Sequence, residues 1–193
     1  CEACDITENC NTSSKNRTFT KDATPPKVEN ISSNLTVLRS NDDIRIYLDS
    51  EDNIIGGVEI IIGNESNLSM IDLGLEDFEI NTTPSNLGCS EGLCVVRFYA
   101  NDSLGNMNAT EKLQFTVDDS GPIITISSPI NDTYTSTNID LNVSANELVD
   151  TWWYVLNSGT SQTFTPNTTI TGVDGNNNIT VYANDSVGNI DSS

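Results

Sequence analysis

The side chains able to do chemistry in this chain are carboxylates, cysteines and sequon asparagines; there is no histidine. Without an imidazole, a Ser-His-Asp arrangement and most metal centres are excluded. No G-x-S-x-G, P-loop or G-x-G-x-x-G pattern occurs either, so an enzyme is not expected. Paired carboxylates could hydrolyse glycosides, but among 28 acidic residues no pair is singled out. Asp118 and Asp119, together with Asp102 or with Glu51 and Asp52, lie where loops would offer hard oxygen ligands. A structural Ca²⁺ is the one cofactor these residues suggest; none other is expected.

The cysteines suggest covalent staples. Cys89 and Cys94 can close a short loop, and Cys4 with Cys10 brackets a turn, leaving Cys1 over. Such bonds persist outside the reducing cytosol. A zinc half-site at Cys1 and Cys4 lacks two further ligands. Sequons of the form Asn-x-Ser/Thr number fourteen, at Asn11, Asn16, Asn30, Asn34, Asn64, Asn67, Asn81, Asn101, Asn108, Asn131, Asn142, Asn167, Asn178 and Asn184. Composition alone would give about 6, so N-linked glycans and an extracellular, cell-surface location are expected. Turn chemistry also favours Asn, Ser and Thr, and Asn101 and Asn184 belong to turns.

These residues are positioned by a repeat. Residues 98–106, F-Y-A-N-D-S-L-G-N, recur as V-Y-A-N-D-S-V-G-N at 181–189, with seven of nine positions identical. Before each motif apolar residues alternate, Val96, Phe98 and Ala100 in one copy and Ile179, Val181 and Ala183 in the other. Period two is the signature of a half-buried strand, and Asn-Asp-Ser-x-Gly-Asn is turn chemistry. After the first turn Leu113, Phe115 and Val117 alternate again and lead to Asp-Asp-Ser-Gly-Pro; residues 19–26 repeat that arrangement 96 positions upstream.

With no 3.6-residue apolar stripe and turn residues throughout, the class is all-β. Two tandem β-sandwiches are expected at 26–119 and 120–193, preceded by an N-terminal strand segment at 1–25 with a stiff Thr24-Pro25-Pro26 linker. Adjacent in one strand, Trp152 and Trp153 must face opposite ways, one to the core and one to a neighbour, a glycan or a bound sugar. No run approaches a membrane span, and no signal peptide is evident, so a processed form or an excerpt of a longer chain is expected. A net charge of -20 argues against nucleic acid and anionic membranes as partners.

Trp153-Tyr154-Val155-Leu156-Asn157, Phe164, Thr168-Thr169-Ile170, Asp174-Gly175 and the motif at 181–189 resemble the tandem immunoglobulin-like domains of archaeal cell-surface proteins. Similar repeats occur in bacterial surface proteins. The resemblance covers 122–189 well and the first domain only by its ends. It implies seven-strand sandwiches serving as spacer, coat or adhesive modules, without catalytic residues.

The second sandwich stops after its turn, where the first continues into residues 111–117; it is expected to lack its last strand. A substitute, Arg17, Thr18, Phe19, Thr20 and Lys21, lies near the other end. An open edge invites pairing with another chain. The expected function is a structural subunit of a surface filament or layer, a head-to-tail homopolymer or tandem array built by strand complementation. A spacer or adhesion module of a large adhesin or surface-layer glycoprotein, and accessory domains of a secreted hydrolase, are the alternatives.

Overall fold

The computed structural model describes residues 3–4, 6–7, 10–11, 19–51, 59–63, 68–75 and 77–193. It is all-β, and its helical content among these residues is one 3₁₀ turn, Ser85–Leu87. No helix among them is long and apolar enough to cross a membrane.

A two-residue ladder of β1 (Ala3–Cys4) and β2 (Cys10–Asn11) begins the chain. Ten strands follow, β3 (Lys27–Ser33), β4 (Val37–Leu38), β5 (Ile44–Glu51), β6 (Glu59–Gly63), β7 (Leu68–Ser69), β8 (Ile71–Gly74), β9 (Asp77–Thr82), β10 (Gly92–Asn101), β11 (Met107–Asn108) and β12 (Lys112–Val117). They form two sheets, ordered β3-β5-β9-β8 and β4-β12-β10-β6-β7, with β11 also on β10. The second set is β13 (Ile124–Ser128), β14 (Asn138–Ala145), β15 (Thr151–Leu156), β16 (Gln162–Phe164), β17 (Thr168–Thr171), β18 (Ile179–Asn184) and β19 (Ile190–Ser192). Its sheets run β13-β14-β17 and β16-β15-β18-β19.

Alternation builds both sandwiches. Along β10, Cys94, Val96, Phe98 and Ala100 are buried while the residues between them face out. Ile44, Ile46 and Leu48 do the same from the facing sheet, giving one core. The second core is smaller and separate: Ile124, Leu141, Val143 and Ile170 of one sheet meet Val181 and Ala183 of the other. Each sandwich buries its own apolar face, so the chain holds two modules.

Three details escaped periodicity. β4 is two residues long and joins β12 in parallel, Val37 opposite Thr116 and Leu38 opposite Val117. The apolar run at 68–73 divides at buried Met70, with β7 on β6 and β8 on β9, so the chain changes sheets there. The second module does not stop at its turn: β19 returns along β18, pairing Ile190 with Asn184 and Ser192 with Tyr182.

Candidate functional site, the module junction and the open edge

The two copies of Asn-Asp-Ser-x-Gly-Asn fold alike because an aspartate organises each. Asp102 Oδ1 accepts from the Leu104 and Asn106 backbone N–H groups at 2.9 and 2.8 Å, and Oδ2 from Asn106 Nδ2 at 2.7 Å. Asp185 Oδ1 accepts from Val187, Gly188 and Asn189 N–H at 2.9, 2.7 and 2.9 Å, and Oδ2 from Asn189 Nδ2 at 2.9 Å. The turns require glycine at Gly105 and Gly188, whose φ angles are 86° and 91°. Both aspartates are buried.

The second turn also holds the neighbouring module. Asn189 Nδ2 donates to the Asp118 carbonyl at 2.8 Å and to that of Ser120 at 3.3 Å, tying residues 118–120 to the turn. Gly121 lies so close to Ile190 that a Cβ would meet its carbonyl carbon at 3.0 Å. From the first module, Arg39, held by Asp42 at 2.9 Å, brings its guanidinium within 4.0 Å of where a side chain on Gly188 would start. Asp119 completes the joint, accepting from Ser40 N–H and donating its own N–H to Glu91.

Beside this joint Asp118, Glu147 and Asp185 bring carboxylate oxygens within 4.8 Å of one another. Among the described residues this is the grouping that could hold a hard cation, and it differs from the trio expected. Asp118 joins Glu147 and Asp185, Asp119 is engaged with Ser40 and Glu91, and Asp102 serves its own turn. Sequence reasoning missed Glu147, which sits in the loop after β14 with no motif around it. Glu51's side chain and Asp52 lie outside what is described.

The carboxyl of Asp118 is raised above its ordinary range, first by burial and then by the charges of Asp185, Glu91 and Asp119. That of Glu147 is raised by partial desolvation and by Asp118, Asp185 and Glu91. Asp102 is lowered: burial opposes its charge, but Asn106 and the backbone N–H groups of its turn outweigh it. A carboxyl raised in the folded state costs stability above its folded pKa, and that cost is relieved as pH falls through it. A lowered one contributes stability that is lost as pH falls through its folded value. Thermal stability should therefore rise as pH falls through the raised Asp118 and Glu147 carboxyls, above the ordinary carboxylate range, and fall as pH drops below that range through Asp102, the rise weakening in Asp118→Asn. A steady fall from pH 7 downward would contradict this account.

The open edge lies on β18. In the first module β12 pairs with β10 from Gly92 through Arg97, and Phe115, Val117 and the adjoining Leu38 close the core. In the second, β19 and Ser193 cover only residues 181–184 on that side, with Val181 and Ser193 exchanging bonds of 3.0 and 2.9 Å. Among the described residues no strand continues past Thr180 there. Packing records the difference: Ile44, Ile62 and Val96 are 0% exposed, whereas their counterparts Ile139, Tyr154 and Ile179 are only partly buried.

The remaining expected site residues distribute as follows. Cys89 and Cys94 are joined, their Cα atoms 5.6 Å apart, clipping the loop before β10. Cys4 and Cys10 are direct cross-strand partners, a spacing a disulfide can span. Phe19 is 91% exposed, and Thr20 and Lys21 are exposed without strand pairing; Arg17 and Thr18 lie outside the described residues. Trp152 turns inward against Phe164, while Trp153 stacks on Tyr182 across the outer face, centroids 5.6 Å apart.

Among the sequons, Asn30, Asn34, Asn81, Asn101, Asn131, Asn167 and Asn178 are exposed, and Asn142 is partly buried. Asn30, Asn108 and Asn184 have engaged amides: Asn30 Nδ2 donates to Asp49 Oδ2 at 2.6 Å, Asn108 Nδ2 to the Pro26 carbonyl and Asn184 Nδ2 to that of Asp185, and Asn184 Oδ1 is buried without a partner. Asn16, Asn64 and Asn67 and the side chain of Asn11 lie outside the described residues.

No protein-family model and no curated protein matches the chain. A solved structure reported in work on host cell surface retention of a 1.5-MDa bacterial ice-binding adhesin matches with a TM-score of 0.53 and 18% identity. The match covers 89% of this chain and 63% of that one, so this chain spans less than two thirds of the adhesin structure. At that identity the likeness is one of fold: the chain is similar to a β-rich piece of a bacterial surface adhesin.

Proposed function

We propose that the chain is a structural unit of an extracellular surface filament or layer, in which β-sandwich modules are joined head to tail by strand complementation. The observation that carries this reading is the partial exposure of Ile139, Tyr154 and Ile179 at the β18 edge of the second core, whose counterparts in the first module are fully buried where β12 and Leu38 close the core. On that side β18 is left without a neighbour at Ile179 and Thr180, and a strand edge beside a partly open apolar core recruits a further strand. Phe19 falls in the register of Phe115, which is 3% exposed in its own sandwich, and so supplies the aromatic anchor. Arg17 and Lys21 fall at the places of Leu113 and Val117, so the donor matches the first module's strand at its aromatic position and not at its two aliphatic ones.

Charge supports the pairing. Residues 120–193 contain seven acidic residues and no Lys or Arg, whereas residues 15–27 hold Lys15, Arg17, Lys21 and Lys27 against the single Asp22. A basic donor and an acidic acceptor steer head to tail and disfavour head to head. Glycans on the exposed sequons and a Ca²⁺ beside Asp118 belong to the same reading of a surface-located rod. The adhesin likeness favours a second one, in which the two sandwiches are spacer modules of a longer adhesin and the strand after Ser193 is supplied in sequence.

Phe19→Asp tests the first reading, since it places a charge in an apolar groove. Sedimentation and electron microscopy should show regular polymers for the parent chain and monomers for the variant, with circular dichroism unchanged. Polymers of normal length in Phe19→Asp would remove strand donation.

A further inference from the structure

We infer that the turn end of the first module is a docking face for the opposite end of the second module in another copy of this chain. This rests on the head-to-tail reading above but on different residues. The template is the junction already present, where the second module's turn meets the first module's far end through Asn189, Arg39 and residues 118–120. Val187 is half-buried in that turn, while its counterpart Leu104 in the first turn is 62% exposed. Met107 beside it is 59% exposed. A mainly apolar cavity of about 450 Å³ opens there between residues 24–27 and 107–110. Pro25 stands where Gly121 allows close packing at the formed junction, so the first linker leaves space that the second does not.

The far end of the second module offers a matching surface. By strand register Tyr134 takes the place of Arg39, and it is 43% exposed. Ile130, whose N–H donates to the Tyr134 hydroxyl at 2.9 Å, is 62% exposed, and Val173 in the loop after β17 is 63% exposed. These three lie opposite the turn at 185–189, because β18 runs from one end of the module to the other. One end of the chain thus presents exposed Leu104 together with Met107 at a cavity that Lys27 also lines; the other presents Ile130, Tyr134 and Val173 on a module without any cation. The two faces differ, so the contact is heterologous and propagates as a line.

Three variants of the whole chain test this against strand donation. With a benzophenone amino acid at Leu104, photolysis of mixed ¹⁴N and ¹⁵N protein should yield cross-links between differently labelled chains that map to residues 128–137 or 172–178. Combining Tyr134→Asp with Val173→Asp, both exposed positions, should abolish those cross-links and weaken polymerisation at least a hundredfold, and Leu104→Asp should do the same from the other face. Cross-links confined to a single chain, or full polymerisation in both Asp variants, overturn the docking face. If Phe19→Asp polymerises while the Tyr134/Val173 variant does not, strand donation fails and docking stands; the reverse pattern retains donation and removes docking.

Discussion

Asp185→Ala should destabilise the second module by about 4 kcal/mol. Its carboxylate gathers three backbone N–H groups and the Asn189 amide. A hydrogen bond to a charged group contributes about 1.5 to 3 kcal/mol, and the four here do not add fully. Alanine leaves these donors without an acceptor and frees Asn189 from the orientation that lets it hold the Asp118 and Ser120 carbonyls. In a domain of this size the loss lowers the melting temperature by about 20 °C. Asp185→Asn keeps one acceptor and should lose about half as much. Differential scanning calorimetry should show two transitions, only the one assigned to the second module moving; the mirror variant Asp102→Ala should move the other. A shift below about 5 °C in Asp185→Ala would show the turn is held by something else.

Completing the second sandwich should have an effect of similar size and opposite sign. Ser193 occupies the register of Thr110, so Glu-Lys-Leu-Gln-Phe-Thr-Val, the sequence of residues 111–117, can be appended directly. In the first module the same Phe and Val are 3% and 0% exposed. Burying two such side chains contributes about 1.5 to 3 kcal/mol each. Because the strand is covalently attached, the association entropy of a separate copy is avoided. We expect the second module's melting temperature to rise by about 15 °C or more, with Ile139 and Ile179 losing their exposure and polymerisation stopping. An unchanged melting temperature would show that the edge does not accept a strand.

What the sequence revealed follows from which forces are local. Alternation at Val96, Phe98 and Ala100 reports burial directly, so the main strands and the all-β class were legible. The Asn-Asp-Ser-x-Gly-Asn turns were legible because Asp102 and Asp185 bond to groups within four residues. β4 was invisible, since a two-residue parallel pairing with a strand some eighty positions away leaves no period. Glu147 was missed for the same reason: its proximity to Asp118 and Asp185 arises only when three separate loops meet. The return of residues 190–192 along β18 has no apolar alternation to announce it, its side chains being exposed. Trp152 and Trp153 had to diverge, but only the fold shows which one faces Tyr182.

The parallel contact of β4 with β12 bears on how the first module responds to pulling. Chain enters the first module near β3 and β4 and leaves from β12, so traction along the molecule drags these strands lengthwise past each other. The Thr116 N–H to Thr36 carbonyl bond at 2.9 Å and the Asp118 N–H to Leu38 carbonyl bond at 3.0 Å are then loaded together rather than opened one after another. Among the described residues of the second module no such parallel clasp is present, and under the proposed assembly a partner strand on its edge would be what carries load there.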